Sequence, residues 1–333
     1  MGLGLRHLAR HAWYRPRKAW RPDPLAAPVS PPSLDGPPLA VVVVCFKMQH
    51  QIANTLSSLS LPYQQQIDAG QFEMHVVDNG SPQPLDPSLL PTAPNVHYHY
   101  ISPDAASPHP GVAINRAVAK SRSPLLCIMI DGARMVTPGV LRWGSDLGGL
   151  SSRTLAEVRS WHLGPKPQVQ SVLEGYTAEV ERDLLRKIDW PHDGYRLFEI
   201  SAAAPSMPRG FLGRATESGC LFMSREMFDE IGGYDERYQT PGGGLANIDF
   251  FWRATQAAEQ VFVVLGEGTF HQIHGGAATG LTGDARRDKF KQWRAEYERL
   301  SRPFNKKPPP YEPILAGHLP LPCRKWLSPL SPK

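Results

Sequence analysis

The chain has 333 residues, 34 of them proline, about a tenth of the sequence against a usual one-twentieth. Apolar residues make up 41%, charged residues 20%, and the formal net charge is +5, which excludes collagen, a coiled coil and a wholly disordered chain. The proline excess is local, with eight in residues 1–38 and nine in residues 301–333, and both ends are basic. Six Arg or Lys face two Asp in the first end and one Glu in the second, while the middle is mildly acidic. With the basic charge confined to the ends and no nucleic-acid motif present, nucleic-acid binding is not indicated.

Residues 3–14 place Leu5, Leu8, Ala9, Ala12 and Trp13 at helical spacing, with Arg6 and Arg10 off that stripe and Pro16 as the stop. A short basic amphipathic helix of this kind suits an anionic membrane surface, and its bland counterpart is a frayed tail. Residues 22–38 read as a proline-rich linker. Leu39 to Phe46 is a β-branched run suited to a strand buried on both faces. Gln49 to Leu61 carries Ile52, Leu56 and Leu59 at helical spacing and ends before Pro62. Strands follow at Phe72–Val77 and Val96–Ile101, a helix at Gly111–Lys120, and a buried run at Leu125–Ile130.

Beyond residue 150 the pattern predicts a strand over Arg153–Trp161 and one helix over Val172–Ile188. A strand over Ser218–Met223 feeds a helix over Ser224–Ile231, followed by a helix over Asn247–Ala257 and a strand over Val261–Leu265. Strands alternating with helices indicate an α/β domain with a mostly parallel central sheet flanked by helices, and ligands then bind beyond the carboxyl ends of the strands. The expected organisation is a basic Pro-rich segment over 1–38, the α/β domain over 39–300, and a Pro-rich basic tail over 301–333. The KKPPPYEP run in that tail reads as an extended segment, either loosely packed or an SH3-type ligand.

Cys45, Cys127, Cys220 and Cys323 are widely separated and form no C-x-x-C pair, so free thiols in a reducing compartment are expected. No apolar run approaches the ~20 residues of a membrane span, and Arg6 and Arg10 interrupt any signal-peptide core. A cytoplasmic location is expected, with the basic N-terminus on the inner face of a membrane as the peripheral variant.

Six fragments stand in order: VVVVCFKM (41–48), VVDNGS (76–81), GVAINRAVAKS (111–121), CIMIDGA (127–133), GCLFMSREMFDEIGGYDERY (219–238) and NIDFFWRA (247–254). Together they resemble the GT-A-fold glycosyltransferases of the family-2 type, over about residues 39–275. The resemblance implies transfer of a sugar from a nucleotide-sugar donor to a glycan or lipid-linked acceptor, as in cell-surface polysaccharide synthesis. By the same resemblance Asp78 accepts a hydrogen bond from the nucleotide base, for which an ionised, acceptor-only carboxylate is suited. Cys45, Phe46 and Lys47 contact that nucleotide, and Asn115 lies near the donor. Trp252 and Tyr234 are candidates for a sugar-ring platform, with core packing the likelier role for at least one of them.

Asp131 matches the first Asp of the family's D-x-D motif, which holds Mg2+ or Mn2+ against the diphosphate. The run here is Asp131-Gly132-Ala133, without the second carboxylate, and Arg134 follows as a fixed cation able to neutralise phosphate. His271 and His274 follow the last strand, where the resemblance implies completion of the metal or diphosphate site. The family's base position is occupied by Asn247, which cannot accept a proton at neutral pH. Asp249 and Glu217 are the remaining candidate bases. These departures frame two readings: an active transferase of either stereochemistry, or a GT-A-like partner protein that binds nucleotide or glycan without catalysis. No G-x-G-x-x-G follows the first strand, which argues against a Rossmann dehydrogenase.

Overall fold

The Val-rich run near the start of the fold becomes β1 (Leu39–Cys45), buried at all seven positions. The structure is a computed structural model that describes residues 38–275, 283–301, 303–304 and 308–327. The amphipathic stripe at residues 3–14 and the linker after it lie outside the described residues. Side chains alternate across a strand, and β1 divides accordingly. Ala40, Val42 and Val44 join one apolar layer, whereas Leu39, Val41, Val43 and Cys45 join the other.

After α1 (Gln49–Leu59) come β2 (Phe72–Asn79) and β3 (Val96–Ile101), added in parallel on one side of β1. Then α2 (Pro110–Lys120) returns the chain to β4 (Leu125–Met129), parallel to β1 on its other side. The layer containing Val42 and Val44 packs on Ala113, Ile114 and Ala117 of α2; the other packs on Ile52, Leu56 and Leu59 of α1. Helices therefore cover both faces, which is why these strands carry continuous apolar runs.

The second half begins with β5 (Arg134–Val136), α3 (Val140–Gly148), β6 (Thr154–Leu163), α4 (Gln168–Ser171) and α5 (Ala178–Ile188). It continues with β7 (Ser201–Ala203), β8 (Cys220–Ser224), α6 (Arg225–Glu230) and α7 (Ala246–Ala257). The last elements are β9 (Gln260–His271), α8 (Gly283–Leu300) and β10 (Pro313–Gly317). The sheet order is β10-β9-β6-β8-β4-β1-β2-β3. Only β8 on this path runs antiparallel to its neighbours, β4 and β6. The fold is thus the α/β class expected, with a mostly parallel central sheet flanked by helices.

Several elements differ from the periodicity. The single helix expected over Val172–Ile188 is broken, because Gly175 adopts φ 88° after a short 3-10 turn and Thr177 then caps a separate α5. The last strand runs 12 residues rather than ending at Leu265, continuing through Glu267 to His271. Residues 313–317, which composition assigns to a loose tail, form β10 and pair in parallel with β9. The same segment is anchored by Tyr311, 8% exposed, whose hydroxyl accepts from Ala215 N–H at 2.8 Å and donates to Glu157 Oε1. A buried Tyr here leaves no free SH3-type ligand.

The four cysteines are free, and all four are buried. Among the described residues no helix is long and apolar enough to cross a membrane. Ile114, fully buried between α2 and the sheet, tests the layer that carries α2. Ile114→Ala is expected to cost about 2–5 kcal/mol in urea unfolding, and an unchanged midpoint would contradict the packing.

Candidate functional site

The chain leaves β4 at Met129, turns through Asp131-Gly132-Ala133, and enters β5, which pairs antiparallel with the end of β9. In this register Arg134 lies opposite His271. Asp131 Oδ1 accepts the Ala133 N–H at 2.9 Å, and Gln272 N–H donates to the Ala133 carbonyl at 2.8 Å. Gly132 is required by close approach, since a Cβ there would sit 2.8 Å from the Cys45 Cβ. Its carbonyl accepts from Thr55 Oγ1 at 2.7 Å, tying the turn to α1.

That pairing brings Asp131, His271 and His274 together, with one ligand-capable atom of each within 4.8 Å of the others. Asp131 Oδ2 lies 2.8 Å from His271 Nε2 and 3.7 Å from His274 Nε2, and the two imidazole nitrogens are 3.1 Å apart. The tautomer of His271 follows from Gln168. The Gln168 amide nitrogen donates to the His271 carbonyl, so its oxygen faces His271 Nδ1 at 2.7 Å, and Nδ1 must carry the proton. Burial lowers the His271 pKa to about 4 against the opposing pull of Asp131, so at neutral pH Nε2 presents a lone pair to the carboxylate. Burial also opposes charge on Asp131, yet His271 and His274 hold its carboxyl well below the usual range. For His274, burial is outweighed by Asp131 and the pKa is raised.

Three acceptor atoms so placed fit a divalent cation of the kind that accepts mixed nitrogen and oxygen donors. Arg134 borders the group, its Nε 3.7 Å from Asp131 Oδ2 and its guanidinium donating to Ser160 Oγ at 2.8 Å. A Cβ on Gly219 would meet that Nε at 2.6 Å, so glycine is what lets Arg134 lie there.

The 271–274 loop is held from two sides. From α1, Gln51 donates to the Ile273 carbonyl at 2.7 Å and Asn54 to Gln272 Oε1 at 2.9 Å. From α5, Glu181 accepts the Ile273 N–H at 3.0 Å and the Tyr176 hydroxyl at 3.2 Å. Burial raises the Glu181 pKa from 4.5 to about 7. Gln168, Ser160 and Glu181 have no mark in the sequence that separates them from other polar residues, since all three reach the site through nonlocal packing.

Asp78, one residue before the end of β2, lies directly across from Cys45 in the parallel register. It is fully buried, with Oδ1 accepting from Ser81 N–H at 3.2 Å and Oδ2 from the Tyr98 hydroxyl at 3.3 Å. Lys47 N–H donates to Ser81 Oγ at 2.8 Å, and Phe46 beside it is 48% exposed. Asn115 is elsewhere: its amide donates to the Tyr234 carbonyl and to Glu236 Oε1, and its oxygen accepts Tyr234 N–H, each at 2.9 Å. With every group engaged, Asn115 staples α2 to the Gly233–Glu236 turn.

Asp249 pairs with Arg253 one turn along α7 at 2.7 Å, and Arg253 donates to the carbonyls of Ile231 and Gly233. It thus completes a helix-to-turn strut. Asn247 instead accepts from the Tyr234 hydroxyl at 3.1 Å and donates to Glu217 Oε2 at 3.2 Å and to the Ser218 carbonyl at 3.0 Å. Tyr234 and Trp252 are each 2% exposed, and the Trp252 ring stacks on Phe304 at 5.8 Å, so both pack the core and neither offers a sugar platform.

No protein-family model and no curated protein matches the chain. Among solved structures, S. aureus TarS is 13% identical and aligns over 79% of this chain and 40% of its own, with a TM-score of 0.45. TarS 1-349 in complex with UDP-GlcNAc aligns at 14% identity over 79% of this chain and 68% of its own, TM-score 0.45. GalNAc-T7 with UDP, GalNAc and Mn2+ aligns at 14% identity over 78% and 48%, TM-score 0.47. The chain therefore spans two fifths of full TarS and about half of GalNAc-T7, and the likeness is too distant to transfer a substrate or a site residue. The layout found here, with Asp78 and Asp131 at the carboxyl ends of neighbouring parts of the sheet, agrees with the GT-A fold that the sequence resemblance implies.

Glu181 gives this loop a pH signature. Its folded pKa of about 7 exceeds the ordinary 4.5, so the folded state binds the proton more tightly. Its contribution to stability is full at acid pH and is lost as pH rises from about 4.5 to about 7. Melting temperatures of wild type and Glu181→Gln across that window should converge at the acid end and diverge as pH rises, with the wild type falling. Parallel profiles would contradict a buried, perturbed Glu181.

Proposed function

We propose that the chain is a GT-A-fold glycosyltransferase that takes a nucleotide-sugar donor. The observation that supports this most is the convergence of Asp131, His271 and His274 at the carboxyl end of the sheet, with Arg134 alongside. These three residues would hold a divalent metal, and such an ion when bound supplies Lewis-acid stabilisation of a departing diphosphate. Two imidazoles and one carboxylate suit Mn2+ better than Mg2+, which takes oxygen ligands. Arg134, held by Ser160 and Asp131, presents a guanidinium to phosphate oxygens at the same place. Asp78 and the exposed Phe46 beside Lys47 are assigned to the nucleoside end. Asp78, fully buried, holds this loop through Ser81, whose hydroxyl accepts the Lys47 N–H.

We assign the base to Glu217 rather than Asp249. A base must be free to accept the acceptor's hydroxyl proton, and Asp249 is neutralised by Arg253, which is itself tied to two carbonyls. Asn247 stands where the resembling enzymes place their carboxylate, and here its amide donates to a neighbouring carboxylate. Glu217 thus occupies the role with Asn247 as its positioning residue. This is what favours an enzyme over a binding-only partner: the departure at Asn247 is matched by a second acid in contact with it. In a direct displacement the acceptor oxygen would bond to the donor's anomeric carbon and give its proton to Glu217 as the bond from that carbon to the diphosphate breaks. A glycan or lipid-linked acceptor near a membrane is the extension we draw from the basic stretch over residues 1–38, six Arg or Lys against two Asp.

Purified chain incubated with Mn2+, UDP- and GDP-sugars and glycan acceptors should release nucleoside diphosphate. Glu217→Gln should lower turnover by roughly 10²–10⁴ with donor affinity retained. Asp249→Asn should mainly lower the melting temperature. Full activity in Glu217→Gln would overturn the base assignment, and no release with any donor would favour the binding-only reading.

A further inference from the structure

A second set of metal-type donors lies on the outer strands β2 and β3, away from Asp131. Glu73 and His75 project from one face of β2, and the register sets His75 against His97 on β3. Glu73 is fixed by Ser121 and Ser123, whose hydroxyls both donate to Oε1, the latter at 3.0 Å. His75 is 3% exposed, and its Nε2 is a buried atom without a hydrogen-bond partner. That nitrogen lies 3.4 Å from Glu73 Oε1, while His97 Nε2 lies 3.7 Å from Glu73 Oε2. One donor atom of each residue falls within 4.8 Å of the others.

These separations carry information. Ligands bonded at about 2.05 Å around a tetrahedral ion are about 3.4 Å apart, and each imidazole nitrogen lies near that distance from one of the two Glu73 oxygens. A buried polar nitrogen whose nearest acceptor, Glu73 Oε1 at 3.4 Å, lies beyond good hydrogen-bond distance is poorly satisfied, and a bound cation would satisfy it. The far side of the ring is already oriented, since His75 Nδ1 lies 2.9 Å from His99 Nε2. Metal-binding imidazoles are commonly held by donating from the nitrogen opposite the ligand, and His75 Nδ1 would do so once His99 presents Nε2 as an acceptor. Lys120 Nζ lies 3.2 Å from His99 Nδ1 and, as a donor, sets the His99 proton on Nε2; withdrawal of this exposed side chain into solvent would let His99 accept from His75 instead.

We propose that Glu73, His75 and His97 form a second divalent-metal site, of the zinc class, that clamps the β2–β3 edge of the sheet. Three protein ligands leave a fourth position, which opens to solvent beside His97, whose side chain is 43% exposed. The site is independent of the transferase reading, because none of its residues belongs to the Asp131 group.

The test uses full-length protein stripped with a chelator and titrated with Zn2+ alone, against His271→Ala, His97→Ala and the double variant. The exposed position of His97 makes its variant a mild one, and circular dichroism verifies folding. His271→Ala should keep a tight Zn2+ equivalent and a Zn2+-induced rise in melting temperature. Adding His97→Ala should remove about one equivalent and abolish that rise, and Glu73→Gln in place of His97→Ala should do the same. Equal stoichiometry and equal thermal shift in His271→Ala and both double variants would overturn the site. Retention of the first-site equivalent in His97→Ala alone keeps the two centres distinguishable.

Discussion

Acceptor atoms crowded into a partly buried place repel one another unless something positive joins them, and much of this structure is arranged around one such place. Asp131 comes from the turn after β4 and the histidines from the end of β9, strands separated in the sheet by β6 and β8. The short β5 bridges that gap by pairing Arg134, Met135 and Val136 with the last residues of β9. Without this pairing the carboxylate and the imidazoles would end on different parts of the sheet edge. The groups then fix each other's charge: burial favours neutral histidine, Asp131 opposes it, and His274 is the one that gains.

The supporting shell follows from the same need. Fixed dipoles and hydrogen bonds must orient groups that repel, and the loop carrying the histidines is held by Gln51 and Asn54 from α1 and by Glu181 from α5. Gln168 sets the tautomer of His271. Two glycines mark where backbone and guanidinium must pass closely, Gly132 against Cys45 and Gly219 against Arg134. A similar economy is seen in α7, where Asp249 and Arg253 brace the Ile231–Gly233 turn and leave Asn247 to face Glu217.

Much of this layout is legible in the sequence where the signal is local. The runs at β1 and β4 read as buried strands because helices cover both faces, and α1, α2 and α7 read as helices because their apolar residues fall on one stripe. What periodicity misses is short or paired at long range: β5 has three residues, and β10 is concealed by a proline-rich composition that tolerates an edge strand. The site divides in the same way. Asp78 and Asp131 stand near strand ends, where position marks them, and His271 and His274 follow the last expected strand, where the family resemblance gives them their role. The preference for Glu217 over Asp249 depends on the Asp249–Arg253 and Asn247–Glu217 contacts. Helical spacing allows the first of these, but only the fold reveals the second.

The central claim is that the Asp131 group binds a metal that in turn holds a nucleoside diphosphate. Calorimetric titration of uridine or guanosine diphosphate, with Mn2+ and then with a chelator, tests it directly. The account predicts that Mn2+ tightens binding by at least about tenfold, 1.4 kcal/mol, and that His271→Ala removes the gain while leaving the metal-free affinity unchanged. Equal affinity with and without Mn2+ in the wild-type chain, or an undiminished gain in His271→Ala, would contradict it.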